Sequence, residues 1–203
     1  TTAIVRAAAI VLLPIAPPVA LLASYTPSDK TAQITVVQPN VPCYEEERIA
    51  ASKFDPREDI KRLMADVPDD ADYVLMPESA LAYIPTIGSI DEAHLDFIAP
   101  ELKTLFGDNL SGTKLTTGAS TRVRYGDHQA TDTAHHYPNY GWYDQYNSAL
   151  AVDSEGHVED IYHKGKLVVG GEAVPLKSLV DLFEVDLGGV SGQLGWGREH
   201  TIF

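Results

Sequence analysis

In Tyr162-His163-Lys164-Gly165-Lys166-Leu167-Val168-Val169-Gly170-Gly171-Glu172 a lysine and a glutamate stand at the two ends of a short apolar run. A second carboxylate, Glu78, stands upstream in Met76-Pro77-Glu78-Ser79-Ala80. Two carboxylates and an ammonium brought to one point are parts for acyl-transfer chemistry. A carboxylate serves as general base, and a lysine charge in a low dielectric stabilises the oxyanion of a tetrahedral intermediate. Glu78 follows a predicted strand at the start of a loop, where side chains of α/β proteins converge on a ligand crevice. A partly desolvated carboxylate there suits general-base work. Gly170-Gly171 frees the backbone to turn and bring Glu172 back toward such a site.

Each residue also has a plainer reading. Glu78 is a capping or solvated loop acid, Glu172 a loop acid beside a turn, and Lys164 or Lys166 a surface lysine. Lys166 would share a side with Lys164 if the strand continued, so periodicity does not choose between them. Asn147 and Ser148, in Tyr146-Asn147-Ser148-Ala149, open a predicted strand, where they either hydrogen-bond site loops or make a turn. Cys43 lies beside Glu45 to Glu47, whose charges disfavour a thiolate, so it reads as an incidental thiol. His128, His135 and His136 lack metal-ligand spacing. Tyr140, Trp142 and Tyr143 either form an apolar lid or pin their loop.

The elements that must position these groups follow from local patterns. Gln33 to Gln38 is rich in β-branched residues and stops at Pro39-Asn40, which predicts a buried strand. Asp55-Pro56-Arg57-Glu58-Asp59 supplies the cap, first-turn proline and early acids of a helix whose apolar stripe is Ile60, Leu63, Met64 and Val67. Asp72 to Met76 predicts a short buried strand. Asp91 to Phe106 predicts a helix with Leu95, Ile98, Leu102 and Leu105 on one face and a break or kink at Pro100. Strands are predicted at Lys114 to Ser120, Asn147 to Val152 and His157 to Tyr162, the last two joined by a turn at Asp153-Ser154-Glu155-Gly156. Tyr125 to Gln145 reads as a long polar, aromatic loop. The order β-α-β-α-β-β-β predicts an α/β layered sandwich with an antiparallel portion.

At 203 residues the chain is long enough for a sizeable core. Its 29 acidic residues against 15 basic ones, a formal charge of -14, exclude a nucleic-acid partner, which needs clustered Lys and Arg. A single cysteine excludes an internal disulfide framework and a CxxC metal site. Ala7 to Ser28 carries no charge and is long enough to cross a bilayer. Its prolines and small residues also fit a secretory signal. With Arg6 on the cytoplasmic side, Asp29 onward is expected on the outer side. The organisation expected is a membrane segment at 1–28 and an extracytoplasmic domain at 29–203.

Five landmarks stand in register after the hydrophobic span: Val37-Gln38-Pro39-Asn40-Val41-Pro42, Met76 to Ala80, Tyr146 to Ala149, Tyr162 to Glu172, and Gly195 to Phe203 with Arg198-Glu199 near its middle. Together they resemble the nitrilase (carbon-nitrogen hydrolase) superfamily and, within it, the membrane-bound apolipoprotein N-acyltransferases. The resemblance implies an αββα sandwich, incomplete in this chain, preceded by one transmembrane helix. It implies Glu78 as general base, Lys164 as oxyanion-stabilising residue by its spacing to Glu172, Glu172 as supporting acid, and Tyr146 and Asn147 in support, with no metal or cofactor. The implied nucleophile is a cysteine on the strand after Arg198-Glu199, so the chain is expected to be an internal fragment, inactive alone. Val169-Gly170-Gly171-Glu172 departs from the commoner Pro-Phe-Gly-Glu, and Phe54 stands near a tryptophan of some members.

The implied reaction moves a fatty acyl chain from a phospholipid, through a thioester, to the amine of a diacylglyceryl-cysteine on an apolipoprotein. The implied location is the bacterial inner membrane, with the catalytic domain periplasmic. Two other readings stand beside it: a soluble nitrilase-type amidase, and a membrane-anchored binding domain without chemistry.

Overall fold

The computed structural model describes residues 2–40, 55–107, 112–169, 171–173, 193–199 and 202–203. They fall into two compact units, Thr1–Thr31 and Ala32–Phe203. The first is helix α1 (Thr2–Ser24), with Pro14, Pro17 and Pro18 inside it. Its apolar stretch Val5–Ser24 is long enough to cross a membrane, and none of it is buried. A helix apolar on all sides and left uncovered lacks the polar face of a surface helix. A membrane span and a signal sequence both meet this description.

The second unit is a mixed α/β fold built on a seven-stranded sheet. Its strands are β1 (Ile34–Val36), β2 (Tyr73–Leu75), β3 (Ile90–Asp91), β4 (Lys114–Gly126), β5 (His135–Tyr137), β6 (Gly141–Val152) and β7 (Val158–His163). The helices are α2 (Pro56–Met64) and α3 (Leu95–Phe106), the latter led in by a 3₁₀ turn at Glu92–His94. The long antiparallel pair β4 and β6 forms the centre. Strands β2 and β3 run parallel to the first and second halves of β4, and β1 runs parallel to β2. Strands β5 and β7 flank the two halves of β6, both antiparallel to it. The α/β class expected from the element order is what the chain forms. The second sheet of a two-sheet sandwich is not among the described residues.

Asp55 caps α2 as its sequence predicts, accepting from the backbone N–H groups of Arg57 and Glu58. Ile60 and Met64 then point inward and meet Leu102, Leu105 and Phe106 of α3 over Val74, Leu115, Ala119, Leu150 and Val152 of the sheet. Each fully buried Leu, Ile or Phe here contributes about 1.5–3 kcal/mol by leaving water. Pro100 sits inside α3 without ending it. The Arg57–Glu101 ion pair ties α2 to α3, and Lys103–Glu155 ties α3 to the β6–β7 turn. That turn closes as expected, with Asp153 Oδ1 accepting from the N–H groups of Glu155 and His157 at 2.8 Å each.

Two expectations are corrected. The strand near Gln33–Gln38 forms, but as an edge strand: Ile34 and Val36 are 57% and 68% exposed. Tyr125 to Gln145 is not a long loop. It holds the end of β4, all of β5 and the start of β6. Its aromatic and polar residues alternate across a pleated surface half-buried on both sides, which erases the apolar contrast that marks a strand. Within it Tyr140 is pinned: its hydroxyl donates to Asp91 Oδ2 at 3.0 Å, the Arg124 guanidinium lies 4.2 Å from its ring centre, and Tyr143 meets it edge-on.

Candidate active site

Side chains alternate across β4 and β6, so the sheet has two chemically distinct faces. Leu115, Ala119, Leu150 and Val152 face the helices. The other face carries Thr116, Gly118, Ser120 and Arg122 of β4 beside Ala151, Ala149, Asn147 and Gln145 of β6. Three loops bring the sequence-predicted groups to this second face.

The first loop leaves β2 and crosses β4. Met76 N–H donates to Thr116 O at 2.9 Å, and Gly118 N–H donates to Pro77 O at 3.2 Å. A Cβ at residue 118 would lie 2.5 Å from Pro77 O and 2.6 Å from Glu78 Cα, so only glycine lets the loop lie this flat on the sheet. Ser79 completes the crossing at φ 58°, a left-handed conformation rare for serine. Strained backbone of this kind is concentrated at functional sites. The loop delivers Glu78 above Asn147.

The second group comes from the end of β7, where Lys164 N–H donates to Asn147 O at 2.8 Å and brings Lys164 beside the same asparagine. The third is a tight turn that folds back on Val168, whose carbonyl accepts from Glu172 N–H at 2.9 Å. Val168 N–H in turn donates to Glu172 Oε2 at 2.7 Å, which fixes the carboxylate's direction.

The result is a four-membered polar cluster. Asn147 Nδ2 donates to Glu78 Oε1 and to Glu172 Oε1 at 2.6 Å each. Lys164 Nζ donates to the same two oxygens at 3.2 and 2.9 Å. The structure therefore brings together Glu78, Lys164, Glu172 and Asn147, and of the two lysines it is Lys164 that meets the glutamates. Burial works to raise the pKa of the Glu172 carboxyl, but the Val168 N–H, the Asn147 amide and Lys164 outweigh it and hold the pKa below the ordinary range. Burial works to lower the Lys164 ammonium, yet its hydrogen bonds to Glu172 and Glu78 and their charges raise it. The two groups thus keep each other charged.

The two carboxylates differ in exposure. The Glu172 side chain is 16% exposed and the Glu78 side chain 60%. The partial desolvation expected for Glu78 is therefore not found, because its loop lies on an uncovered sheet face. Asn147 and Ser148 do not open a strand either: both lie within β6. Ser148 faces the opposite side, sharing a 2.8 Å hydrogen bond with Thr121.

Tyr146, expected in support of the cluster, points away from it, because neighbours in a strand face opposite ways. Its ring stacks on His163 at 4.0 Å, and His163 Nε2 lies 2.7 Å from Glu92 Oε1. Tyr146 and His163 line a cavity of about 690 Å³ on the helix-bearing face, with Asp144 and Trp196 among its other walls. The Tyr125 hydroxyl donates to Asp144 Oδ2 there at 2.9 Å. Burial, with hydrogen bonds to Tyr146 and Asp144, raises the Tyr125 pKa well above the ordinary tyrosine range.

Two positioning roles are not legible in the sequence. One is that of Gly118. The other is that of the Gly195 end of the last landmark, a strap from Gly195 to Gly197 that borders the cavity and bonds back to the cluster's loops. Leu194 N–H donates to Glu172 O at 2.9 Å, Gly195 N–H to Gln145 O at 2.9 Å, and Gly197 N–H to Lys164 O at 3.1 Å. A Cβ on Gly195 would come 2.5 Å from the Tyr146 ring, and one on Gly197 would collide with His163 O. The glycine spacing in Gly195-Trp196-Gly197 was the available signal. Val41, Pro42, Cys43, Phe54 and Gly170 lie outside the described residues.

No family model matches the chain, and no curated protein matches it. Among solved structures, an N-terminal amidase with an Asn-Glu-Ala peptide superposes at a TM-score of 0.36 and 17% identity, over 68% of this chain and 29% of that one. The same amidase with a Gln-Val peptide gives 0.33 and 15%. An amidase from Nesterenkonia sp. gives 0.38 and 14% identity, over 72% of this chain and 48% of that one. The chain thus spans less than half the length of these proteins.

Proposed function

We propose that this chain carries the acid-base and oxyanion-stabilising groups of an apolipoprotein N-acyltransferase. In this reading a fatty acyl chain passes from a phospholipid to the N-terminal amine of a diacylglyceryl-cysteine on a bacterial lipoprotein, outside the inner membrane. The observation that carries it is the convergence of Glu78, Glu172 and Lys164 around Asn147. The apolar helix Val5–Ser24 fits a protein that meets a lipid donor.

The exposures divide the roles. Glu78, the open carboxylate, takes the proton of a cysteine thiol supplied by the longer protein. The sulfur attacks the donor's ester carbonyl, and Lys164 stabilises the resulting oxyanion. The C–O bond breaks, and the departing lysophospholipid oxygen takes the proton from Glu78. The acceptor amine then attacks the thioester, the C–S bond breaks, and Glu78 returns the amine's proton to the sulfur. Glu172, locked by three donors, stays ionised and holds Lys164 in place.

The test uses the full-length protein in detergent with a phospholipid donor and a diacylglyceryl-cysteine lipopeptide. Mass spectrometry should find one acyl chain on a cysteine downstream of Arg198-Glu199, and Glu78→Gln should abolish that adduct. Hydrolysis of small soluble amides with no acylated lipopeptide would replace this reading with an amidase. An acyl adduct on Cys43 during turnover would overturn the assignment of the nucleophile.

A further inference from the structure

Arg122 stands one two-residue step from Ser120 along β4, and Ser120 is paired with Asn147. Gln145 Nε2 donates to Ser120 Oγ at 2.9 Å, which places these side chains on the face that carries the Glu78–Lys164 cluster. Arg122 is thus about 7 Å along the sheet from the cluster's asparagine. It borders a recess of about 490 Å³ lined by Tyr137, Pro138, Asn139, Tyr140 and Tyr143.

The Arg122 guanidinium is half-buried, Nη2 donates to the backbone carbonyl of Ser89 at 3.1 Å, and Nε is buried with no partner. No carboxylate pairs with it among the described residues, in a chain of net charge -14. Its only other charge-directed contact described there is the face of the Tyr140 ring, 5.2 Å from the guanidinium carbon to the ring centre. Asp91, whose backbone is paired with Arg122, is already engaged. It accepts from the Tyr140 hydroxyl at 3.0 Å and lies 3.5 Å from His94 and 3.9 Å from Arg124. A half-buried cation without a counter-ion is less favourable than a paired one, and a guanidinium's flat fork matches the oxygens of a phosphate. Tyrosines around it offer apolar walls with polar edges.

We propose that Arg122 and this tyrosine-lined recess bind a phosphate oxyanion, the phosphodiester of the acyl donor, and so seat the donor's ester beside Glu78 and Lys164. The identity of the donor rests on the proposed function; the oxyanion site rests on Arg122 alone.

The test measures binding rather than turnover. Full-length protein in detergent is titrated with a diether phospholipid, which has no ester to cleave, with the matching diether glycerol lacking phosphate, and with inorganic phosphate. Arg122→Gln should weaken the diether phospholipid roughly tenfold or more and leave the diether glycerol unchanged. Arg122→Lys should recover part of the loss, and Arg124→Gln should lose little. Thermal melting checks that each variant is folded. Phospholipid binding tighter than inorganic phosphate assigns the lipid as source. Equal, Arg122-dependent binding of both supports the oxyanion site and assigns free phosphate. Unchanged phospholipid affinity in folded Arg122→Gln overturns the site. If Arg122 governs binding yet no thioester forms in the unmodified enzyme, the pocket stands and the acyl-transfer reading falls.

Discussion

Glu78 and Glu172 each present one carboxylate oxygen to the same pair of donors: Asn147 Nδ2 at 2.6 Å from each, and Lys164 Nζ at 3.2 and 2.9 Å. Two anions held this close repel, and it is the single ammonium between them that makes the arrangement favourable.

Replacing Lys164 with methionine keeps most of the side chain's bulk but removes the charge. In the full-length protein kcat should fall about 10²–10³-fold, the size of effect seen when an oxyanion donor is lost. Steady-state kinetics should show the loss in kcat rather than in KM. An effect confined to KM would make Lys164 a substrate-binding residue.

Replacing Asn147 with alanine deprives both carboxylates of a donor at once. Stability should drop by about 1 kcal/mol, because Glu78 remains open to water. Asn147→Asp adds a third carboxylate to the cluster and should cost more. That excess should shrink as pH falls and the added aspartate takes up a proton. Urea unfolding at neutral and acid pH measures both.

The pH dependence of stability has a defined sign on each side. Glu172 is held below its ordinary pKa of 4.5, so its contribution is full above that value and is lost as pH falls through the depressed one. Lys164 is held above its ordinary 10.5, so its contribution is full below that value and is lost as pH rises through the raised one. The stability difference between the natural chain and Glu172→Gln should therefore be flat at neutral pH and narrow in acid, with a smaller narrowing in alkali as Lys164 loses its proton and the Val168 and Asn147 donors remain. The difference from Lys164→Met should narrow in alkali as the ammonium deprotonates, and again in acid as its partner Glu172 is protonated.

Gly118→Ala places a methyl group where the Pro77–Ser79 backbone lies. The loop must lift, which should cost about 1–3 kcal/mol as overpacking does. Glu78 moves with it, so activity should fall further than stability explains. Urea unfolding and kcat on the same preparation separate the two effects.

Much of this architecture was legible because it is locally encoded. Asp55-Pro56 starts a helix, Asp153 to Gly156 makes a turn, and both do so wherever they occur. Glu78, Lys164 and Glu172 were legible through their motifs. Three things were not. The resemblance puts Tyr146 beside Asn147 in support of the cluster, yet adjacency in a strand means opposite faces. The strands between Tyr125 and Gln145 were hidden because Tyr143, Gln145 and Asn147 are half-buried like Trp142 and Tyr146 on the reverse side. Gly118 was silent because a glycine in a strand does not announce which backbone will cross it.

The strap at Gly195 to Gly197 grips the carbonyl of Lys164 directly and that of Glu172 through Leu194. It is thus tied to the backbone of both cluster residues: displacing the strap must shift the lysine and the glutamate through main-chain hydrogen bonds, with no side chain as intermediary.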